Sequence, residues 1–253
     1  MRKRESVQMH LLTAFIDGLK PESIKNMPFV STLERKNRIT SELGYSNPAH
    51  ASMYSGVHPN KHLFWFIWQY SPNTSPFKII KALKVDKLPH NLYSKYLCYK
   101  YAQLQDHRVT SFYGIPFIHW MPIEKWHYFD VSEKKFWTEQ KYIDHYPTIF
   151  EELRQCKVDY ETIGLVKHDA KNSSNIIDKY NGDIIKKWTY LFFGDIDPLS
   201  HKFGQTAPET QDRLRKIDSI IEKYYKKFES TIGEFRFMLF SDHGHIPVTN
   251  SID

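Results

Sequence analysis

Cysteine is scarce: Cys98 and Cys156 are the only two in 253 residues, which excludes a disulfide framework and any four-cysteine zinc site. Long apolar runs are missing as well. The longest aromatic-apolar stretch, Leu63 to Trp68, falls far short of the roughly 18 residues that cross a bilayer, so no transmembrane span is expected. The basic start is interrupted by the polar stretch Ser6 to His10 before the apolar core of a leader can form. The reading is a protein without a signal peptide, located in the cytoplasm. An excess of one charge is also lacking. Lys+Arg number 35 against 29 Asp+Glu, and the net charge of +6 is spread along the chain. Nucleic-acid binding wants a basic face, and none is visible, so no such partner is expected. Internal repeats and low-complexity tracts are absent. What remains is 41% hydrophobic and 25% charged, a globular composition, at a length that suits one large domain or one domain with an insertion.

Met9 to Ile16 is a short apolar run without helical period and reads as a buried strand entering the loop at Asp17-Gly18. Phe29, Val30 and Leu33 have helical spacing, and Arg38 to Leu43 alternates enough for a second strand. Ala49 to Tyr54 reads as a helix with Pro48 near its start. Residues 63–144 hold five of the six tryptophans (Trp65, Trp68, Trp120, Trp126 and Trp137). They are read as an inserted subdomain, with helices at Pro76–Leu83 and Asn91–Leu104 and irregular structure beyond Arg108. Alternation then returns: a helix at Tyr146–Arg154, a strand at Tyr160–Val166, a helix at Ser174–Tyr180 and a strand at Trp188–Phe193. A long helix at Pro208–Glu229 carries Leu214, Ile217, Ile221, Tyr224 and Phe228 on one stripe, and a strand follows at Phe235–Phe240. Strands alternating with helices predict an α/β fold with a mostly parallel sheet. Its core would be residues 1–62 and 145–253.

Three of these strands end in acidic or acid–histidine groups: Asp17-Gly18, Asp195-Ile-Asp197 with His201, and Ser241-Asp242-His243-Gly244-His245. Ligands bind beyond the carboxyl ends of strands in an open parallel sheet, and carboxylates with imidazoles gathered there can hold a metal. That donor set suits zinc or manganese better than calcium or magnesium. Ser46 precedes a helix, where backbone N–H groups favour an anion, and its hydroxyl becomes nucleophilic once a base or metal lowers its pKa. Two metals roughly 3.5–4 Å apart would serve an in-line displacement at phosphorus. Each feature alone has a plainer reading, as a turn, a local Asp–His pair or a helix cap.

The order Asp17-Gly18, Ser46-Asn47-Pro48-Ala49-His50, Gly56-Val57-His58-Pro59 with His62, Asp197-x-x-x-His201-Lys-Phe-Gly204 and Ser241-Asp242-His243-Gly244 resembles the alkaline phosphatase superfamily. Within it, the order looks most like the type I phosphodiesterase/nucleotide pyrophosphatase family. The resemblance implies a three-layer α/β/α sandwich with two divalent ions, usually zinc, and a transiently phosphorylated Ser46. It puts one ion on Asp17, Asp242 and His243 with Ser46 bridging, and the other on Asp197 and His201. A sulfatase would carry arginine where His50 stands. The family completes the second ion with a histidine well downstream of the Asp-His-Gly motif, whereas this sequence reaches Asp253 nine residues after Gly244, which reads as a C-terminal truncation. His245, the one histidine beyond that motif, does not match the family's position. The family's phosphate-binding asparagine after His62 is also replaced by an aromatic stretch, so contacts to the phosphoryl oxygens fall to the backbone N–H of Asn47 or to another group.

The expected activity is metal-dependent hydrolysis of a small-molecule phosphate diester or pyrophosphate. The alternatives are a catalytically incomplete core, or a sulfatase or phosphotransferase of the same superfamily. The tryptophans of the insertion either form its own small core or, through Trp65, Trp68, Trp120 and Trp126, cover the site and stack on the substrate.

Overall fold

The computed structural model describes residues 9–43, 46–66, 68–82, 84, 91–105, 121–165, 172–182 and 185–246. The chain forms two compact units, one of residues 1–41 with 155–253 and the other of residues 42–154.

The first unit is built on a four-stranded parallel sheet of β1 (His10–Ile16), β4 (Tyr160–Ile163), β5 (Trp188–Phe193) and β6 (Phe235–Phe240), in the order β4-β5-β1-β6. Every residue of β5 is buried, as are the last five of β1. A central strand of a parallel sheet is covered on both faces, which is why these two read as unbroken apolar runs. One face carries Leu12, Ala14, Ile16, Leu191 and Phe193. Against this face pack helix α9 (Pro208–Ile232), through Leu214, Ile217, Ile221 and Phe228, and helix α7 (Ser173–Lys179), through Ile177. Phe15 lies in an aromatic row, its ring 5.2 Å from Phe192 and 5.5 Å from Phe240. The expected α/β class with a mostly parallel sheet is therefore observed.

Two short elements after β1, a 3-10 turn at Pro21–Asn26 and helix α1 (Pro28–Thr32), are fastened to the long helix. The carboxylate of Asp218 accepts the N–H groups of Phe29 at 2.8 Å and Val30 at 2.9 Å, satisfying donors that a helix start leaves without intrahelical partners. Asp218→Ala should lower stability by about 1–3 kcal/mol, because Val30 N–H would be left buried and unbonded. A denaturant midpoint within error of the parent would refute that role. The predicted strand at Arg38–Leu43 does not form. Ile39 and Leu43 are 66% and 77% exposed, and alternation without a neighbouring strand to bond supplies no reason to extend.

The second unit opens with helix α2 (Ser46–Ser55), followed by α3 (Pro59–His62). Tyr54 of α2 stacks on Trp137 at 4.3 Å and meets Phe150 of α6 (Ile149–Gln155) at 5.3 Å. A second cluster gathers Phe77, Ile80, Ile123, Trp126 and Val131, with Trp68 partly buried against it. Trp126 and Trp68 thus belong to a core of this unit, whereas Trp65 is 41% exposed; Trp120 lies outside the described residues. Beyond Arg108, where irregular structure is expected, the chain contains a 3-10 turn at Ile123–Tyr128 and strand β3 (Phe129–Val131), which pairs antiparallel with β2 (Trp68–Tyr70). Short helix α4 (Lys78–Ala82) and longer α5 (Leu92–Gln105) follow the predicted positions closely. No helix among the described residues is long and apolar enough to cross a membrane.

Candidate metal centre

β1 and β6 are neighbours in the sheet, so the segments leaving their carboxyl ends run side by side. Asp17 follows β1, and its N–H donates to the carbonyl of Phe193 at 2.9 Å, continuing the sheet pattern by one residue. Ser241 follows β6. Its hydroxyl donates to the carbonyl of His243 at 2.8 Å and accepts the N–H of Leu19 at 2.9 Å. Gly18 N–H donates to Asp242 Oδ1 at 3.3 Å, and the hydroxyl of Ser41 donates to the Asp242 carbonyl at 2.7 Å. Gly18 sits at φ +73, in the left-handed region that favours glycine. These bonds fix the two strand exits to one another and present three side chains together. Ligand atoms of Asp17, Asp242 and His243 all lie within 4.8 Å of one another. His243 Nε2 is 3.2 Å from Asp242 Oδ2 and 3.6 Å from Asp17 Oδ1.

Helix α8 (Ile196–Phe203) follows β5 and carries the other two predicted ligands. Asp197 and His201 lie one turn apart on it, with His201 Nε2 3.5 Å from Asp197 Oδ1. The helix is anchored through the preceding Asp195, which is fully buried. Asp195 accepts hydrogen bonds from Ser174 N–H at 2.9 Å and Ser174 hydroxyl at 2.8 Å, and further ones from Ser173 and Arg213. The two acids of this motif therefore differ in kind. Asp195 is consumed by the scaffold, and Asp197 is left partly exposed with the histidines.

His245 adds an imidazole that the motif reading left unassigned. Its Nε2 lies 2.9 Å from Asp197 Oδ1, and its ring is 4.6 Å from that of His201. Ligand atoms of Asp197, His243 and His245 form a second group within 4.8 Å of one another. The available sequence signal was a histidine directly after an Asp-His-Gly turn.

Three carboxylates thus meet at the carboxyl end of one sheet. Burial, above all, raises the Asp17 carboxyl well above its usual range; the charges of Asp242 and Asp197 and a hydrogen bond with Asp242 push the same way. Its Oδ1 is buried and accepts no hydrogen bond among the described residues. Such a site repels a further negative charge and favours a cation, and the mixed oxygen and imidazole donors fit zinc or manganese.

Ser46 and Asn47 lie in the second unit, at the first two positions of α2. Ser46 is half-buried. Asn47 is buried, and its side-chain amide donates to Glu133, whose other oxygen accepts the hydroxyl of Tyr142 at 2.8 Å. This leaves the Asn47 backbone N–H, in the first turn, as its means of meeting an anion. Nearby, His62 Nδ1 accepts the N–H of Phe64 at 3.0 Å, so its Nε2 carries the proton and donates to Ser52 at 3.1 Å. Burial lowers the pKa of His62 and keeps the ring neutral.

Comparison with curated proteins finds no match. The family model for type I phosphodiesterase / nucleotide pyrophosphatase matches residues 12–253, a span that includes both strand exits, helix α8 and the start of α2. The chain belongs to the type I phosphodiesterase / nucleotide pyrophosphatase family and is a hydrolase of that type.

Proposed function

We propose that the protein hydrolyses small-molecule phosphate diesters or pyrophosphates in a metal-dependent reaction that passes through a phosphorylated Ser46. The observation that carries this reading is the convergence of Asp17, Asp242 and His243 beside Asp197, His201 and His245. Asp17, Asp242 and His243 would hold one divalent ion, with the Ser46 oxygen as a further ligand, and Asp197 and His201 would hold the other. Zinc or manganese, when bound, supplies Lewis acidity that neutralises phosphoryl charge and lowers the pKa of a hydroxyl.

The remaining steps belong to the chain. Ser46 Oγ attacks phosphorus and gives up its proton to solvent, and the P–O bond to the leaving group breaks. The departing oxygen takes up a proton, and water then cleaves the phosphoserine, restoring Ser46 and releasing the phosphate-bearing product. The Asn47 N–H, at the positive end of α2, donates to a phosphoryl oxygen as charge builds on it. His50, where a sulfatase would carry arginine, is buried with its ring 5.9 Å from Tyr54 and 5.8 Å from Trp137. A ring packed among aromatic side chains is not the guanidinium that a sulfatase would carry there, which favours phosphate esters.

The test is hydrolysis of bis(4-nitrophenyl) phosphate, with 4-nitrophenyl sulfate in parallel, before and after chelation and after zinc or manganese is returned. Activity on the phosphate diester alone, lost on chelation and recovered with metal, is expected. Turnover indifferent to chelator would overturn metal dependence, and preferential turnover of the sulfate would overturn the substrate class. Binding should also be visible in stability. At a free ion concentration 100 times Kd, one site adds about 2.7 kcal/mol, or roughly 5–10 °C in Tm for a chain of this size. Differential scanning calorimetry with and without chelator reads this, and coincident transitions would count against the site.

A further inference from the structure

Two imidazoles, not one, converge on the partly exposed carboxylate of Asp197 on helix α8. His201 approaches Asp197 Oδ1 from one turn along the same helix, at 3.5 Å, and His245 reaches the same oxygen from the segment after β6, at 2.9 Å. The rings stand edge to face, 4.6 Å between centroids. We infer that His245 is a ligand of the second metal position, completing it with Asp197 and His201. The inference rests on the metal-dependent reading above.

The backbone on both sides of His245 is shaped to bring it there. At Gly244, a Cβ would lie 3.2 Å from the Cα of Lys20, so the absence of a side chain lets the strand exit pass close against the loop after β1. At Gly18, a Cβ would lie 3.1 Å from His245 Nε2 and 3.3 Å from Asp197 Cα and Cβ, in the space between the two donors. The Gly18 carbonyl accepts the side-chain amide of Gln205 at 2.6 Å, which fixes that loop from the end of α8. Gly18 therefore leaves room where a ring nitrogen and a carboxylate meet, and Gly244 lets the segment that carries His245 pass close to Lys20. The ring of His243, a member of the first metal group, is 5.7 Å from that of His245, so the two positions adjoin.

A hydrogen bond from His245 that merely orients Asp197 would use the same geometry, and the variants are chosen to separate the two roles. His245→Ala removes both ligand and donor, whereas His245→Gln keeps an N–H donor for Asp197 without an imidazole. The full chain and both variants are dialysed against trace zinc, and metal per chain is read by elemental analysis. Zinc affinity is read by titration calorimetry, and ligation by the visible spectrum of the cobalt-loaded forms. Near-ultraviolet circular dichroism checks folding.

The parent is expected to hold two ions, and each variant one, with the second ion bound at least about 100-fold more weakly and the cobalt bands altered. That is no smaller than the effect of losing a mere supporting partner. Two ions with unchanged affinity and spectrum in both variants would overturn the His245 assignment and leave the metal-dependent reading standing. Two ions in His245→Gln alone would reduce His245 to a positioning residue. No ion on the parent would overturn both.

Discussion

Ser46→Ala is expected to reduce phosphodiester hydrolysis by at least about a thousandfold, since no other group takes over the attack on phosphorus. The change should leave the molecule otherwise intact. Ser46 is half-buried at the first position of α2, and losing a hydroxyl at a helix start costs on the order of 1 kcal/mol. The proposed ligands besides Ser46 (Asp17, Asp242 and His243 for one ion, Asp197 and His201 for the other) lie on other elements, so zinc should still bind with the Ser46 oxygen lost. Quenched turnover mixtures of the parent should carry phosphate on Ser46, found by mass spectrometry of the peptide. Activity within tenfold of the parent, or phosphate on some other residue, would remove Ser46 from the mechanism.

The second large effect is on stability. Asp195→Ala should destabilise the first unit by about 3–5 kcal/mol, because Arg213 and two serines would face a gap where a buried carboxylate had been. That corresponds to a fall of roughly 10 °C in Tm. Asp195 is fully buried and ties the start of α7, through Ser173 and Ser174, to Arg213 of α9. The hydroxyl of Ser173 also accepts the N–H of Gly194 at 2.8 Å, so the turn that launches α8 hangs on the same knot. Asp197→Ala, two residues on, should do the opposite: change Tm little in the absence of metal and lose an ion. A pair of thermal melts and metal assays decides the matter, and equal melting temperatures for the two variants would contradict the division of labour.

Much of this was readable from residue order, and the limits have physical causes. β1, β5 and the stripe of α9 stand out because burial on two faces, or on one face at helical period, leaves a local apolar signature. The acidic strand ends were legible because Asp17, Asp197 and the Asp242-His243 pair each follow or adjoin a recognisable strand. Arg38–Leu43 misled because alternation speaks of two faces and says nothing about whether a partner strand is at hand. β2 and β3 are three residues each and pair Trp68 with Val131, a bond between distant segments that no short window contains. His245 was hidden for a similar reason. Its role depends on how closely the exits of β1 and β6 pass, and that is settled by the sheet order and by the missing side chains at Gly18 and Gly244.

The sheet order also dictates a schedule of assembly. β1 is synthesised well before its partners β5 and β6, yet it lies between them in the sheet, with Leu11 opposite Trp188 on one side and His10 opposite Phe235 on the other. The two edges of this apolar strand are not both satisfied until Trp188–Phe193 and Phe235–Phe240 have been made. Residues 42–154, which form a compact unit of their own, emerge in the interval and can fold while β1 waits. Such distant pairings slow folding and prolong the exposure of sticky edges. A ribosome stalled before Phe235 would therefore hold a nascent chain whose first strand is still open to the wrong partners.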